Sequence, residues 1–184
     1  MKKIYIDVGC AECRDLLDFY RNHKDFIYYG IDPSKSYLKV WRKLPMVNFI
    51  NRAAWVYDGK VLFYQDYHDD PQGSTLIKAK SRDGFKKSEV ECFDFSEWLK
   101  QFKGDLIYID MDIEGAEYDV LWKMINDNTI KLVHKLIYEN HSHKFQLKNK
   151  ERTIIYHKTT ATENKLKELN VDFRHDRKLK GWWE

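Results

Sequence analysis

The sequence predicts an α/β fold: one domain with a largely parallel sheet wrapped by helices. Three observations predict it. Short apolar runs alternate with stretches of helical apolar spacing, the pattern of a sheet whose strands are joined by crossover helices. The chain has 184 residues, 43% of them hydrophobic, enough for one domain with a full core. Pro and Gly never cluster into a linker that would separate two cores.

The elements follow in order. Lys3–Val8 (KIYIDV) reads as a buried first strand. Glu12–His23 places Cys13, Leu16, Leu17 and Tyr20 at helical spacing. Phe26–Ile31 is a second strand ending at Asp32-Pro33, Ser34–Trp41 a short helix, and Met46–Ile50 a third strand. Ala53–Tyr57 and Val61–Tyr64 flank Asp58-Gly59, which predicts a hairpin. Gln65–Glu89 is a long polar segment with Pro71, Gly73 and Gly84, the kind that is functional or mobile in a compact domain. Val90–Phe93 is a further strand. Asp94, with Glu97 three residues on, caps a helix carrying Phe95, Trp98, Leu99 and Phe102 on one face. Leu106–Met111 (LIYIDM) is the central strand, Ala116–Asn126 an amphipathic helix, and Lys131–Tyr138 another strand. A last helix covers about Thr162–Leu169, and Val171–Arg174 and Gly181–Trp183 are expected as final antiparallel strands.

Composition excludes several classes. No apolar run approaches the roughly 20 residues needed to cross a bilayer, and MKKIYIDVG has too short an apolar stretch for a signal peptide. Three cysteines do not make a disulfide framework, so a reducing, cytoplasmic setting is expected. A formal charge of +3 does not by itself demand nucleic acid.

Function is expected where acidic strand ends converge, because ligands of open α/β sheets sit beyond the carboxyl ends of the strands. Those ends are Asp7, Asp32 and the pair Asp110/Asp112. Asp32 lies 23 residues after Gly9, about the offset at which an acid accepts hydrogen bonds from a ribose diol. Gly9 permits a tight turn and close approach to a ligand, and the helix N-terminus beyond it suits a carboxylate or phosphate. Only Gly9 of a G-x-G-x-x-G fingerprint is glycine; Ala11 and Cys13 occupy places for small residues. A nucleoside carrying an amino acid therefore fits better than a dinucleotide. The Cys10/Cys13 pair leaves other readings open: a redox pair at a strand-to-helix junction, or a zinc site with His141 and His143.

DVGCAEC, GIDPS, NRAAW, the GSTL of Gly73–Leu76 and IDMDIEGAEYDVL together resemble the FkbM-like S-adenosylmethionine-dependent methyltransferases, in order from about Ile4 to Glu139. The resemblance implies a Rossmann-like class I methyltransferase fold, with a mostly parallel seven-stranded sheet and helices on both faces. It also implies methyl transfer to a hydroxyl, often of a sugar or natural product. By position, Asp7, Gly9, Cys10 and Ala11 would shape the methionine side of a cofactor site, and Asp32 with Pro33 would take the ribose. Asn51, Ala53 and Ala54 would lie near the adenine, and Asp110 and Asp112 under the sulfonium and acceptor. The chain departs from the family pattern at Ala11, Cys13, Asp32 and Asp110. The strands or helices that often precede the first motif in the family are not within residues 1–184, which are expected to be either a minimal single domain or a module of a longer polypeptide.

A neutral sugar hydroxyl needs a base or a metal to become nucleophilic. Asp112, Glu139 and His141 are the candidates for catalysis, and Asp112 with Glu139 could bind a divalent cation through hard oxygens. Glu114 is equally read as a catalytic acid or as a first-turn acid facing a helix dipole, and Glu117 as the latter. Two basic runs, Lys78/Lys80/Arg82/Lys86/Lys87 and Lys144/Lys148/Lys150/Arg152, would suit an anionic small-molecule or glycan acceptor if they flank its entrance. A nucleic-acid substrate is disfavoured, since no basic-aromatic RNA module and no Asn-Pro-Pro-aromatic signature occurs.

Overall fold

The computed structural model describes residues 1–66, 73–78, 85–142 and 149–174, and the side chains of all of these except 149–156. In chain order the strands are β1 (Lys3–Val8), β2 (Ile27–Ile31), β3 (Val47–Ile50), β4 (Ala53–Trp55), β5 (Gly59–Gln65), β6 (Lys86–Asp94), β7 (Leu106–Met111), β8 (Val133–Tyr138) and β9 (Phe173–Arg174). The α-helices are α1 (Arg14–Asn22), α2 (Leu38–Trp41), α3 (Phe95–Leu99), α4 (Glu117–Asn126) and α5 (Asn149–Glu168).

Six strands form the main sheet in the order β3-β2-β1-β7-β8-β9, every pair parallel. The alternation of side chains along β1 explains why its apolar residues fall on both faces. Ile4, Ile6 and Val8 pack with Phe95, Leu99, Val120 and Leu121 on one face. Tyr5 packs with Leu16, Phe19 and Trp41 on the other. Both faces are covered by helices, so every position of the strand beyond Lys3 is buried. The chain winds outward from β1 to β3, then returns to β7 beside β1 and winds outward again. That reversal leaves a crevice at the carboxyl ends of β1 and β7, where a doubly wound sheet takes its ligands. The layout is the Rossmann-like one expected from the sequence.

Four differences from that expectation have physical causes. The main sheet has six strands among the described residues rather than seven; Gly181–Trp183 lies outside them. β9 runs parallel to β8, not antiparallel. The predicted hairpin does not form: β4 and β5 lie on either side of β6 in a separate three-stranded sheet. β5 pairs antiparallel with β6 over its whole length, from Gly59↔Cys92 to Gln65↔Lys86, and β4 pairs with β6 in parallel. That long ladder outweighs the three residues that β4 could offer across a local turn. Finally, α5 begins well before Thr162. Part of its buried side is threonine, which hides the apolar period; Thr162 satisfies its own hydroxyl by donating to the Lys158 carbonyl at 2.9 Å.

Other expectations hold. Asp94 caps α3, its carboxylate accepting from the Glu97 N–H at 2.9 Å. The Ser34–Trp41 helix is a 3₁₀ turn, Lys35–Tyr37, running into α2. Among the described residues, no helix is long and apolar enough to cross a membrane.

Candidate active site

Two loops build the crevice, one after β1 and one after β7. The Gly9 and Cys10 N–H groups both donate to the Ile31 carbonyl, at 2.8 and 3.1 Å, which ties the first loop to β2. Gly9 has φ +87°, and a Cβ there would lie 1.8 Å from the Asp112 carbonyl oxygen. Glycine is therefore required because the two loops touch through their backbones, rather than because a ligand approaches it. Three non-glycine residues in these loops also hold positive φ: Ala11 at 41°, Cys13 at 64° and Glu114 at 54°. Backbone strain of this kind concentrates at functional sites.

Asp32 closes one side. Its Oδ2 accepts from the Ala11 N–H at 3.1 Å and its Oδ1 from the Ser34 N–H at 2.8 Å. Burial pushes its carboxyl up to about 6, against the pull of the Ser34 and Ala11 N–H groups. The loop is braced from behind. Asn51 Nδ2 donates to the Asp32 and Ser34 carbonyls, and Trp41 Nε1 donates to the Ala11 carbonyl.

Between these loops lies a cleft of about 850 Å³, open to solvent. Asp7, Gly9, Cys10 and Ala11 line it, as do Asp32, Pro33, Ala53 and Ala54, with Asp112 opposite. Two expected cofactor residues stand back from it. Asn51 is the brace just described. Asp110, in register with Asp7 on the neighbouring strand, is buried and accepts from the Tyr5 hydroxyl at 3.3 Å. The GSTL segment supplies Ser74, Thr75 and Leu76 to the wall. Thr75 is locked there: its hydroxyl donates to the Glu114 carbonyl at 2.7 Å, and its backbone exchanges two 2.9 Å bonds with Tyr64.

Cys10 and Cys13 are buried and free. Burial, then Cys13 and the nearby Asp7 and Asp32, push the Cys10 thiol well above its ordinary value. Redox and zinc chemistry need the thiolate, which these surroundings oppose. Of the expected zinc set, His141 faces carboxylates, and His143 lies outside the described residues.

Those carboxylates make a second cluster at the ends of β7 and β8. Glu117, wholly buried, accepts from the Ile113 N–H through Oε1 at 2.9 Å and from the Gly115 N–H through Oε2 at 2.8 Å. Its Oε1 also lies 3.0 Å from His141 Nδ1. A carboxylate can only accept, so Nδ1 carries the proton. The other ring nitrogen, Nε2, faces Glu114 Oε2 at 3.2 Å, Asp112 Oδ1 at 3.4 Å and Glu139 Oε1 at 3.5 Å. Burial alone would lower the His141 pKa, but the surrounding Glu117, Glu114 and Asp112 carboxylates outweigh it and raise the net value. The His141 side chain is 0% exposed and that of Glu139 37%, so Glu139 is the member of the cluster that a solute reaches most easily.

The role of Glu117 was not legible in sequence. It stands at the first position of α4, where an acid is ordinarily explained by the helix dipole; here it organises the preceding loop and orients His141. The D-x-E-G-A-E spacing held the only pointer, since it puts Asp112, Glu114 and Glu117 around one tight turn. Of the basic runs, Lys78, Lys86 and Lys87 are exposed. Lys80, Arg82, Lys144 and Lys148 lie outside the described residues, as do the side chains of Lys150 and Arg152.

Among known proteins, the family model for the methyltransferase FkbM domain matches residues 7–173. No curated protein and no solved structure matches the chain significantly.

Proposed function

The chain belongs to the methyltransferase FkbM domain family, and from that premise we propose that it moves a methyl group from S-adenosylmethionine to a hydroxyl of a sugar or related polyol. The observation that carries this reading is the pairing of sites across one crevice. A carboxylate held by two backbone N–H groups, Asp32, lies on one side, and an acidic cluster lies on the other.

The residues fit an adenosyl sulfonium. Asp32 has both oxygens fixed by backbone donors and keeps lone pairs for a ribose diol. Ala53 and Ala54 leave a flat, small-walled space for a base, and Asp7 to Ala11 form the side for the amino-acid end. The bound sulfonium supplies the methyl carbon: a C–O bond forms to the acceptor, the C–S bond breaks, and its electron pair stays on sulfur.

The chain's own contribution is alignment and proton removal. Holding the acceptor oxygen in line behind the methyl supplies most of the acceleration. Asp112 lines the cleft and Glu139 is the most exposed carboxylate behind it, so the hydroxyl proton passes to this pair and then to solvent. His141, sealed from solvent, acts through these carboxylates as a positioning residue. Lys78, exposed two residues beyond the cleft-lining Leu76, favours an acceptor carrying negative charge.

Calorimetry with S-adenosylhomocysteine tests the cofactor half. Micromolar binding to the wild-type chain, weakened at least tenfold by Asp32→Ala, is the expected result; no binding at millimolar ligand refutes the reading. Mass spectrometry of a glycan panel incubated with S-adenosylmethionine then tests the acceptor half, by the gain of one methyl group.

A further inference from the structure

We propose that His141 Nε2 and the carboxylates of Asp112, Glu114 and Glu139 form a binding site for one first-row divalent cation, Mn²⁺ or Zn²⁺, at the acceptor end of the cleft. The site stands on geometry alone; its part in methyl transfer rests on the function proposed above.

Two independent observations point to an ion. The first is the ring. With a proton on Nδ1 bound to Glu117, His141 aims Nε2 at three carboxylates, where a bound cation would sit in place of a second ring proton. Nε2 is buried and makes no hydrogen bond among the described residues. The second is spacing. An N–H donating to a carboxylate would sit at about 2.7–2.9 Å from one oxygen. Here three oxygens lie at nearly equal distances, 3.2, 3.4 and 3.5 Å, from the same nitrogen. Ligand bonds of about 2.1 Å put neighbouring ligand atoms roughly 3.0 Å apart in an octahedron and 3.4 Å in a tetrahedron. Each oxygen thus stands at a ligand-to-ligand distance from Nε2, and Asp112 and His141 belong, with Glu117, to a trio whose possible ligand atoms lie within 4.8 Å of one another.

Charge agrees. Four carboxylates, Glu117 included, surround one imidazole, and a dication offsets their mutual repulsion. One imidazole nitrogen among hard oxygens suits Mn²⁺ or Zn²⁺ better than Mg²⁺ or Ca²⁺, which prefer oxygen alone. Glu117 lies on the Nδ1 side of the ring, where its oxygens accept from Ile113, Gly115 and Nδ1, so we assign it to the histidine rather than to the ion. It is the orienting carboxylate behind the metal-binding histidine. The Glu114 backbone, strained at φ 54° and held by the Thr75 hydroxyl, keeps its side chain turned inward. Asp112 and Glu114 also line the cleft, so the open side of the ion would face a substrate hydroxyl and lower its pKa.

The test is titration of the chelator-treated full chain with MnCl₂, read by electron paramagnetic resonance, and with ZnCl₂, read by calorimetry. Glu114→Gln, Glu139→Gln and Glu117→Gln are run in parallel, with folding checked by circular dichroism. The expected result is one equivalent bound by the wild type, weakened at least tenfold by Glu114→Gln and by Glu139→Gln, and 10- to 100-fold by Glu117→Gln. A folded wild type that binds no equivalent overturns the proposal, as does binding that Glu114→Gln and Glu139→Gln both leave unchanged. S-adenosylhomocysteine affinity, measured on the same metal-free protein, separates the two readings. Cofactor binding without metal binding removes only the ion, and the reverse removes only the methyl-transfer role.

Discussion

Replacing Gly9 by alanine tests the contact on which the crevice is built. The added Cβ would sit 1.8 Å from the Asp112 carbonyl oxygen, where real contacts do not fall below 3.0 Å, so one loop must retreat by about 3.0 − 1.8 = 1.2 Å. Two costs follow. A non-glycine residue at φ +87° costs about 1–2 kcal/mol. Forcing a methyl into packed backbone adds about 3 kcal/mol, the upper end for overpacking, because the obstacle is a main-chain carbonyl and not a side chain that can swing away. The sum, about 4–5 kcal/mol, is a large part of a normal domain's stability. Gly104 is the matched control. Its φ is +93° and a Cβ there meets nothing within 4 Å, so Gly104→Ala should cost only the first term. Urea unfolding of both variants therefore isolates the steric part as a difference of about 3 kcal/mol. If Gly9→Ala fell within 1 kcal/mol of Gly104→Ala, the two loops would not be in contact and the crevice would lack the wall they form.

Three further outcomes are expected. The Asp32 carboxyl rises from 3.8 to about 6 on folding, so its stabilising contribution is complete below pH 3.8 and is lost as pH climbs toward 6. The loss is about 3 kcal/mol, and Asp32→Asn should remove that slope from a plot of urea midpoint against pH; identical slopes would show that the carboxyl is not buried. Cys10 should resist iodoacetamide in the native protein near neutral pH and react promptly once unfolded, with peptide mass spectrometry as the readout; rapid native labelling would restore the redox reading. Thr75→Val leaves the Glu114 carbonyl and the Ile77 N–H without their hydroxyl partner, at a cost of about 1–3 kcal/mol; unchanged thermal stability would mean that the GSTL segment is not docked on the cleft.

What the sequence displayed depended on how local the cause was. β1 and β7 were readable to the residue, because strands covered on both faces run nearly continuously apolar, with Asp7 and Asp110 near their carboxyl ends. Asp94 was readable because a cap is a contact three residues long. The hairpin was misread because its competitor, β6, lies beyond a twenty-residue connection that no local rule weighs. β9 carries only two ladder residues and no turn chemistry to announce its direction. Much of the cleft lining was visible, since an acid at the end of a buried strand is costly to keep unless it holds a loop or a ligand. Asn51 and Asp110 stand behind the cleft lining, and their partners, the Asp32 and Ser34 carbonyls and the Tyr5 hydroxyl, became known only in three dimensions.

His141 was the hardest to read, and the reason joins the two halves of the site. A histidine at a strand end suggests a solvent-accessible base. Here the ring is sealed by Glu117, and Glu117 is held by the backbone of the Asp112–Gly115 turn. That turn is placed by the contact between the Asp112 carbonyl and Gly9, and Gly9 lies two residues before the N–H that orients Asp32. An unbroken path of backbone contacts thus runs from the carboxylate proposed for the ribose to the nitrogen proposed for the metal. A first loop with more glycines would be freer to move. Ala11 and Cys13, both held at positive φ, give a stiffer loop in its place. Rigidity across this path would serve the proposed in-line displacement, in which donor and acceptor would be aligned by different loops and any slack between them would lengthen the reaction distance.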